Sequence, residues 1–156
     1  IYLPLIKNGS QRWGDLSVSK SDLEGRESVL FVDDDPLIVD VQRETLTRHG
    51  YFVTACHSGT EAHNKFKVAF GMYDLVICDM TMPDMTGLEL ARRIKQLNPT
   101  IPVIICTGFS EHINQKNYLE MGIDGFLTKP VNTEDCLMLI RELLEKSGRH
   151  KALKPV

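Results

Sequence analysis

Val29-Leu30-Phe31-Val32-Asp33-Asp34-Asp35-Pro36 is the stretch on which the fold turns. Four consecutive apolar residues with no polar alternation are the pattern of a strand covered on both faces, as parallel strands are. Three carboxylates follow at once. Asp35-Pro36 then has the form of an N-cap with proline at the first helical position. A strand running straight into a capped helix is the first half of a crossover, the connection that neighbouring parallel strands require.

Outward from this stretch the alternation repeats. The first helix is expected to run to about His49, with Gly50 as its stop, before a strand over Tyr51 to Cys56. Ser58 and Glu61 have capping-box spacing and open a helix to about Phe70, with Ala62, Phe66, Ala69 and Phe70 on its inner face. Leu75 to Cys78 reads as a third strand. Gly87 closes a proline-containing loop, and Leu88 to Leu97 reads as a helix that Asn98-Pro99 ends. Pro102 to Cys106 is a fourth strand, Ser110 caps a helix to about Met121 with Gly122 as its stop, and Gly125 to Thr128 is a fifth strand. Asn132 caps a last helix that turns Leu137, Ile140, Leu143 and Leu144 inward. Right-handed crossovers put such helices on both faces of the sheet, so the expected fold is a doubly wound α/β sandwich with five strands and five helices.

Length and composition agree with one domain of this kind. The chain has 156 residues, 42% of them hydrophobic and 25% charged. A net charge of −3 and a pI near 6.0 argue against a dedicated nucleic-acid binder. No apolar run approaches the roughly 18 residues of a membrane span. The start, Ile1-Tyr2-Leu3-Pro4-Leu5-Ile6, has no basic region of a signal peptide and no initiator Met, and reads as part of a longer protein. Residues 1–28 read as the end of a preceding domain plus a linker, 29–146 as the folded domain, and 147–156 as a polar tail. Cys56, Cys78, Cys106 and Cys136 are widely spaced without a Cys-x-x-Cys pair, which argues for reduced, buried thiols in a cytoplasmic protein. His49, His57, His63, His112 and His150 have no metal-ligand spacing, and Met80, Met82 and Met85 read as packing and docking surface.

In open α/β sheets, sites form beyond the carboxyl ends of the strands. That edge here receives Asp33, Asp34 and Asp35 from the first strand, Asp79 from the third, Thr107 from the fourth and Lys129-Pro130 from the fifth. Converging carboxylates repel one another unless a cation joins them. Few, hard oxygen ligands with room for water suit Mg²⁺. Asp33, Asp34 and Asp79 would be the anionic ligands, with the backbone carbonyl of Thr81 as a neutral one, while Asp35 serves as an N-cap. Lys129 offers a mobile positive charge and Thr107 a hydroxyl donor. Asp79 is then a nucleophile able to form an acyl phosphate.

From Val29 to about Lys146 the chain resembles the receiver domain of two-component response regulators. The resemblance is carried by Val32-Asp33-Asp34-Asp35-Pro36, by Cys78-Asp79-Met80-Thr81-Met82-Pro83-Asp84-Met85-Thr86-Gly87, by Cys106-Thr107-Gly108 and by Leu127-Thr128-Lys129-Pro130. Four such stretches in order, each at a strand end, are highly specific. The resemblance implies a flavodoxin-like parallel sheet of order 2-1-3-4-5 and phosphorylation of Asp79 by a histidine kinase or a histidine phosphotransfer domain. It also implies Mg²⁺ held by Asp33 and Asp34, contacts of Thr107 and Lys129 with the phosphoryl group, and a cis Lys129-Pro130 bond. It is compatible with a weak homodimer. The switch position often filled by Tyr is Phe126, and the position after the switch threonine, often Ala, is Gly108, which leaves the site entrance open. Ile1-Tyr2-Leu3-Pro4-Leu5 resembles the last strand of a histidine-kinase ATP-binding domain. This implies the receiver of a hybrid sensor kinase, with no direct nucleic-acid or membrane contact by this segment even where the parent kinase is membrane-bound.

Two other classes share parts of this pattern. A haloacid-dehalogenase-type phosphatase also uses an Mg²⁺-bound Asp nucleophile, but wants a second Asp two residues later, where Thr81 stands. A flavodoxin-like FMN binder shares the topology, but an acidic triplet after the first strand would repel the cofactor's phosphate.

Overall fold

Runs of aliphatic residues build the centre of the sheet. In the computed structural model, which describes residues 20–108 and 116–149, β1 (Ser28–Val32), β3 (Leu75–Asp79) and β4 (Val103–Thr107) are buried almost throughout. β2 (Phe52–Cys56) and β5 (Gly125–Thr128) lie at the two edges and are only partly buried. All pairs are parallel and the order is β2-β1-β3-β4-β5, as the resemblance implied.

Four helices cover the faces among the described residues: α1 (Pro36–Arg48), α2 (Gly59–Val68), α3 (Gly87–Leu97) and α4 (Thr133–Lys146). Asp35 caps α1 by accepting the Leu37 N–H at 2.9 Å, Ser58 caps α2, and Asn132 caps α4, each at the position its sequence signals. α3 begins at Gly87, one residue before the expected Leu88. Thr86 and Glu89 form a capping box there, a signal hidden beside the more conspicuous Gly87. α2 stops at Val68, and a short 3-10 turn, Phe70–Met72, replaces its expected last residues.

The fifth helix, expected from Ser110 to Met121, is a correction. Ser110 lies outside the described residues, and the described part, residues 116–122, is turn rather than helix. Ile1 to Leu5, His112, His150 and most of the tail also lie outside the described residues. The polar stretch before β1 is more closely packed at its end than its composition signals. Lys20–Leu23 forms a 3-10 turn, Glu27 is fully buried, and the Gly25 N–H donates to the His49 carbonyl at 2.9 Å. No helix among the described residues is long and apolar enough to cross a membrane.

Candidate functional site

Strand register brings the site together. Val32 pairs with Cys78, so Asp33 and Asp79 follow one another across the ends of adjacent strands β1 and β3. Asp79 in turn pairs with Cys106, one residue before Thr107, and Thr107 pairs with Thr128, one residue before Lys129. Residues 96 positions apart thus meet because the carboxyl ends of four neighbouring strands are level: Lys129 Nζ donates to Asp33 Oδ2 at 3.1 Å and pairs with Asp79 Oδ1 at 2.6 Å.

Asp33, Asp34 and Asp79 each offer a carboxylate oxygen within 4.8 Å of the others. Asp33 and Asp79 are buried and Asp34 is exposed, so the cluster has an open side. Asp33 Oδ1 also accepts the Asp35 N–H at 2.9 Å, which holds the acidic turn in place. Among the described residues three carboxylates face one ammonium, an imbalance of charge that a divalent cation would correct. Thr81 lies two residues past Asp79, exposed, in the loop that leads to α3.

Burial pushes the Asp79 carboxyl up, and the Asp33 and Asp34 charges add to this. The hydrogen bond and charge of Lys129 oppose it, and the carboxyl stays above its ordinary range. Burial pulls Lys129 down, but its hydrogen bonds to Asp79 and Asp33 outweigh this and hold the ammonium above its ordinary value. Lys129 is therefore charged throughout the physiological range and is drawn to the two buried carboxylates.

Thr107 is buried at the same edge, and its carbonyl accepts the Lys129 N–H at 2.7 Å. The Lys129-Pro130 bond is cis. Among the described residues nothing lies within 4 Å of where a Cβ at Gly108 would stand. Phe126 is half-buried and packs its ring 5.7 Å from that of Tyr118, at a tilt of 52°. The four cysteines are free and buried, and burial raises their thiols, so none is poised to react.

Sequence reasoning missed two polar clusters. Glu27 is buried against Arg141 and Tyr51, and Asp84 is bonded to Gly59 and Thr60. A lone Glu in a polar stretch carries no signal of burial. Asp84 sat inside a quoted motif, but nothing local to it names a partner 24 residues away.

A family model described as the response regulator receiver domain matches residues 29–141. The regulatory protein VanRB of Enterococcus faecalis is 37% identical over 120 residues, which are 77% of this chain and 53% of that protein. The transcriptional regulatory protein CreB of Escherichia coli is 30% identical over 131 residues, 84% of this chain and 56% of that protein. The chain thus spans about half the length of the curated relatives it matches. Among solved structures, a response regulator receiver domain from Clostridium thermocellum superposes with a TM-score of 0.74 at 30% identity, covering 78% of this chain and 97% of that one. A chemotaxis-regulator-like receiver domain from Methanospirillum hungatei gives 0.72 at 32% identity, covering 79% and 97%.

Proposed function

The chain belongs to the response regulator receiver family, and on that premise we propose that it accepts a phosphoryl group on Asp79 in a two-component phosphorelay. The observation that carries this reading is the meeting of Asp33, Asp34 and Asp79 with Lys129 at the carboxyl edge of the sheet. Asp33, Asp34, Asp79 and the Thr81 carbonyl would hold Mg²⁺, and the chemistry it supplies when bound is neutralisation of the charge on the phosphoryl oxygens.

The chain's own residues do the rest. An Asp79 carboxylate oxygen attacks the phosphorus of a phosphohistidine, the new P–O bond forms as the P–N bond breaks, and the departing imidazole nitrogen takes a proton from water. Lys129 then exchanges its pairing with Asp79 for one with a phosphoryl oxygen. The Thr107 hydroxyl donates to another oxygen and moves inward, and, with no side chain at Gly108 to oppose it, Phe126 turns inward after it. Phe126 carries no hydroxyl, so its ring is placed by packing, against Tyr118 among others.

The donor is a histidine kinase or a histidine phosphotransfer domain, and the setting is the cytoplasm. The receiver makes no nucleic-acid contact of its own in this reading, although relatives such as CreB are named as transcriptional regulators. Acetyl phosphate with Mg²⁺ should add one phosphoryl group to the chain, detected by intact mass, and Asp79→Asn should abolish it. Stoichiometric uptake by Asp79→Asn would overturn the assignment.

A further inference from the structure

The first turn of α2 is capped from two directions. Its own N-cap, Ser58, takes the Glu61 N–H at 3.1 Å. The other two N–H groups of that turn go to a residue of the loop after β3. Asp84 Oδ2 accepts the Thr60 N–H and the Thr60 hydroxyl, each at 2.7 Å, and Oδ1 accepts the Gly59 N–H at 3.3 Å. Slight burial pushes the Asp84 carboxyl up, but these hydrogen bonds outweigh it and hold it below the ordinary carboxylate value. The neighbouring Met85 closes the contact. A Cβ at Gly59 would stand 2.4 Å from Met85 Cγ, so the helix start and the loop tip touch with no room for a side chain.

The same loop is fixed at its neck. Met80 donates its N–H to the Cys106 carbonyl at 3.0 Å, and Gly87 donates to the Met80 carbonyl at 2.8 Å. A Cβ on Gly87 would lie 2.5 Å from the Asp79 carbonyl oxygen. Residues 80–87 are therefore closed at the base against Asp79 and pinned at the tip to α2, with Thr81 between the two anchors.

We propose that Asp84 and Thr60 are positioning residues for the acceptor site: by pinning the loop tip to α2 they hold the backbone at Thr81 in the arrangement that binds Mg²⁺. This rests on the phosphoacceptor reading. Ser58 already caps α2 from its own segment, and Asp84 adds a second cap from the loop after β3. Asp84 spends its carboxylate on a helix to which it does not belong, and what it ties down is the loop leaving Asp79.

The test compares two caps of the same helix turn. Mg²⁺ is titrated by calorimetry into the full 156-residue chain and its variants, and backbone amide shifts are recorded without metal. Asp84→Ala should weaken Mg²⁺ binding ~10-fold, as loss of a partner behind a metal ligand typically does, whereas Ser58→Ala should stay within about twofold of the parent. Thr60→Val and Asp84→Asn should fall between them. Without metal, Asp84→Ala should shift the Thr81 amide and Ser58→Ala should not. Unchanged affinity in Asp84→Ala, or an equal loss in Ser58→Ala, would overturn the inference and leave the phosphoacceptor reading standing. A parent chain that binds no Mg²⁺ would overturn that reading, and this inference with it.

Discussion

The two ends of β1 each carry a buried carboxylate, and they are built in opposite ways. Before the strand, Glu27 is fully buried, and Arg141 Nη1 donates to its Oε1 at 2.7 Å and to the Tyr51 hydroxyl at 3.3 Å. The Arg26 N–H donates to the same oxygen at 2.9 Å. Among the described residues one anion meets one cation, with the Tyr51 phenol beside them. After the strand, Asp33 sits with Asp79 and Asp34 around the single ammonium of Lys129. Among the described residues the first cluster is balanced and buried. The second carries excess negative charge and is open on the Asp34 side. A buried carboxylate is thus matched by a cation at one end of the strand and crowded by further carboxylates at the other.

The sharpest way to break this comparison is to remove one partner at the closed end. Arg141→Met takes the Arg141 guanidinium from the buried Glu27 and should lower the unfolding free energy by about 3–5 kcal/mol, read from urea denaturation. Replacing both, as Glu27→Met with Arg141→Met, should recover most of that loss, because a buried ion pair differs little from well-packed apolar side chains. If Arg141→Met were neutral, the closed cluster would contribute nothing that the open one does not.

Alkaline pH tests the same end through Tyr51. Burial pushes its phenol up to about 12, ahead of the lowering contacts of Arg141. A folded-state pKa above the unfolded value of ~10 favours the protonated form in the fold. Its contribution is thus fully present below pH ~10 and is lost as pH rises towards the folded value, amounting to about 2–3 kcal/mol. Tyr51→Phe should flatten that part of the alkaline stability profile. A profile as steep as the parent's would place the titration elsewhere.

The open end should respond to a cation. Mg²⁺ at ten times its dissociation constant should stabilise the parent by about 1.4 kcal/mol in thermal unfolding. Asp34→Asn should remove most of this gain, while Arg141→Met should keep it in whatever fraction remains folded. Equal Mg²⁺ responses in Asp34→Asn and the parent would exclude Asp34 from the ligand set.

The smallest effect concerns Asp79 itself. Its raised pKa means that the ionised form is disfavoured in the fold, so at neutral pH the carboxylate is a net burden in metal-free protein. Asp79→Asn should raise metal-free stability, by less than about 1 kcal/mol, because the lost pairing with Lys129 offsets part of the relief. A clear loss would make the Asp79 end as structural as the Glu27 end.

Much of this was legible from local signals. Val29 to Val32 and Leu75 to Cys78 read as buried strands because their apolar runs do not alternate, and the caps at Asp35, Ser58 and Asn132 read as helix starts because each binds donors within its own first turn. The gathering of Asp33, Asp34, Asp79, Thr107 and Lys129 at one edge followed from strand order alone, since parallel strands place all their carboxyl ends on one side. The misreadings were also local. The start of α3 reads one residue late, at Leu88 rather than Gly87, and the run from Ser110 to Met121 reads as a helix although residues 116–122 are turn.

Which residues the strands would deliver was determined by the sequence, because apolar runs, caps and turn residues act over a few positions. How the delivered residues share charge was decided only by the tertiary structure. Lys129 lies between Asp33 and Asp79, Arg141 reaches back to Glu27, and Asp84 binds the first turn of α2. Each of these contacts joins residues far apart in the chain, and its existence depends on distances of a few tenths of an ångström that no local pattern encodes. Coulomb and hydrogen-bond energies vary steeply over such distances, and they are strongest where burial has removed the competing water.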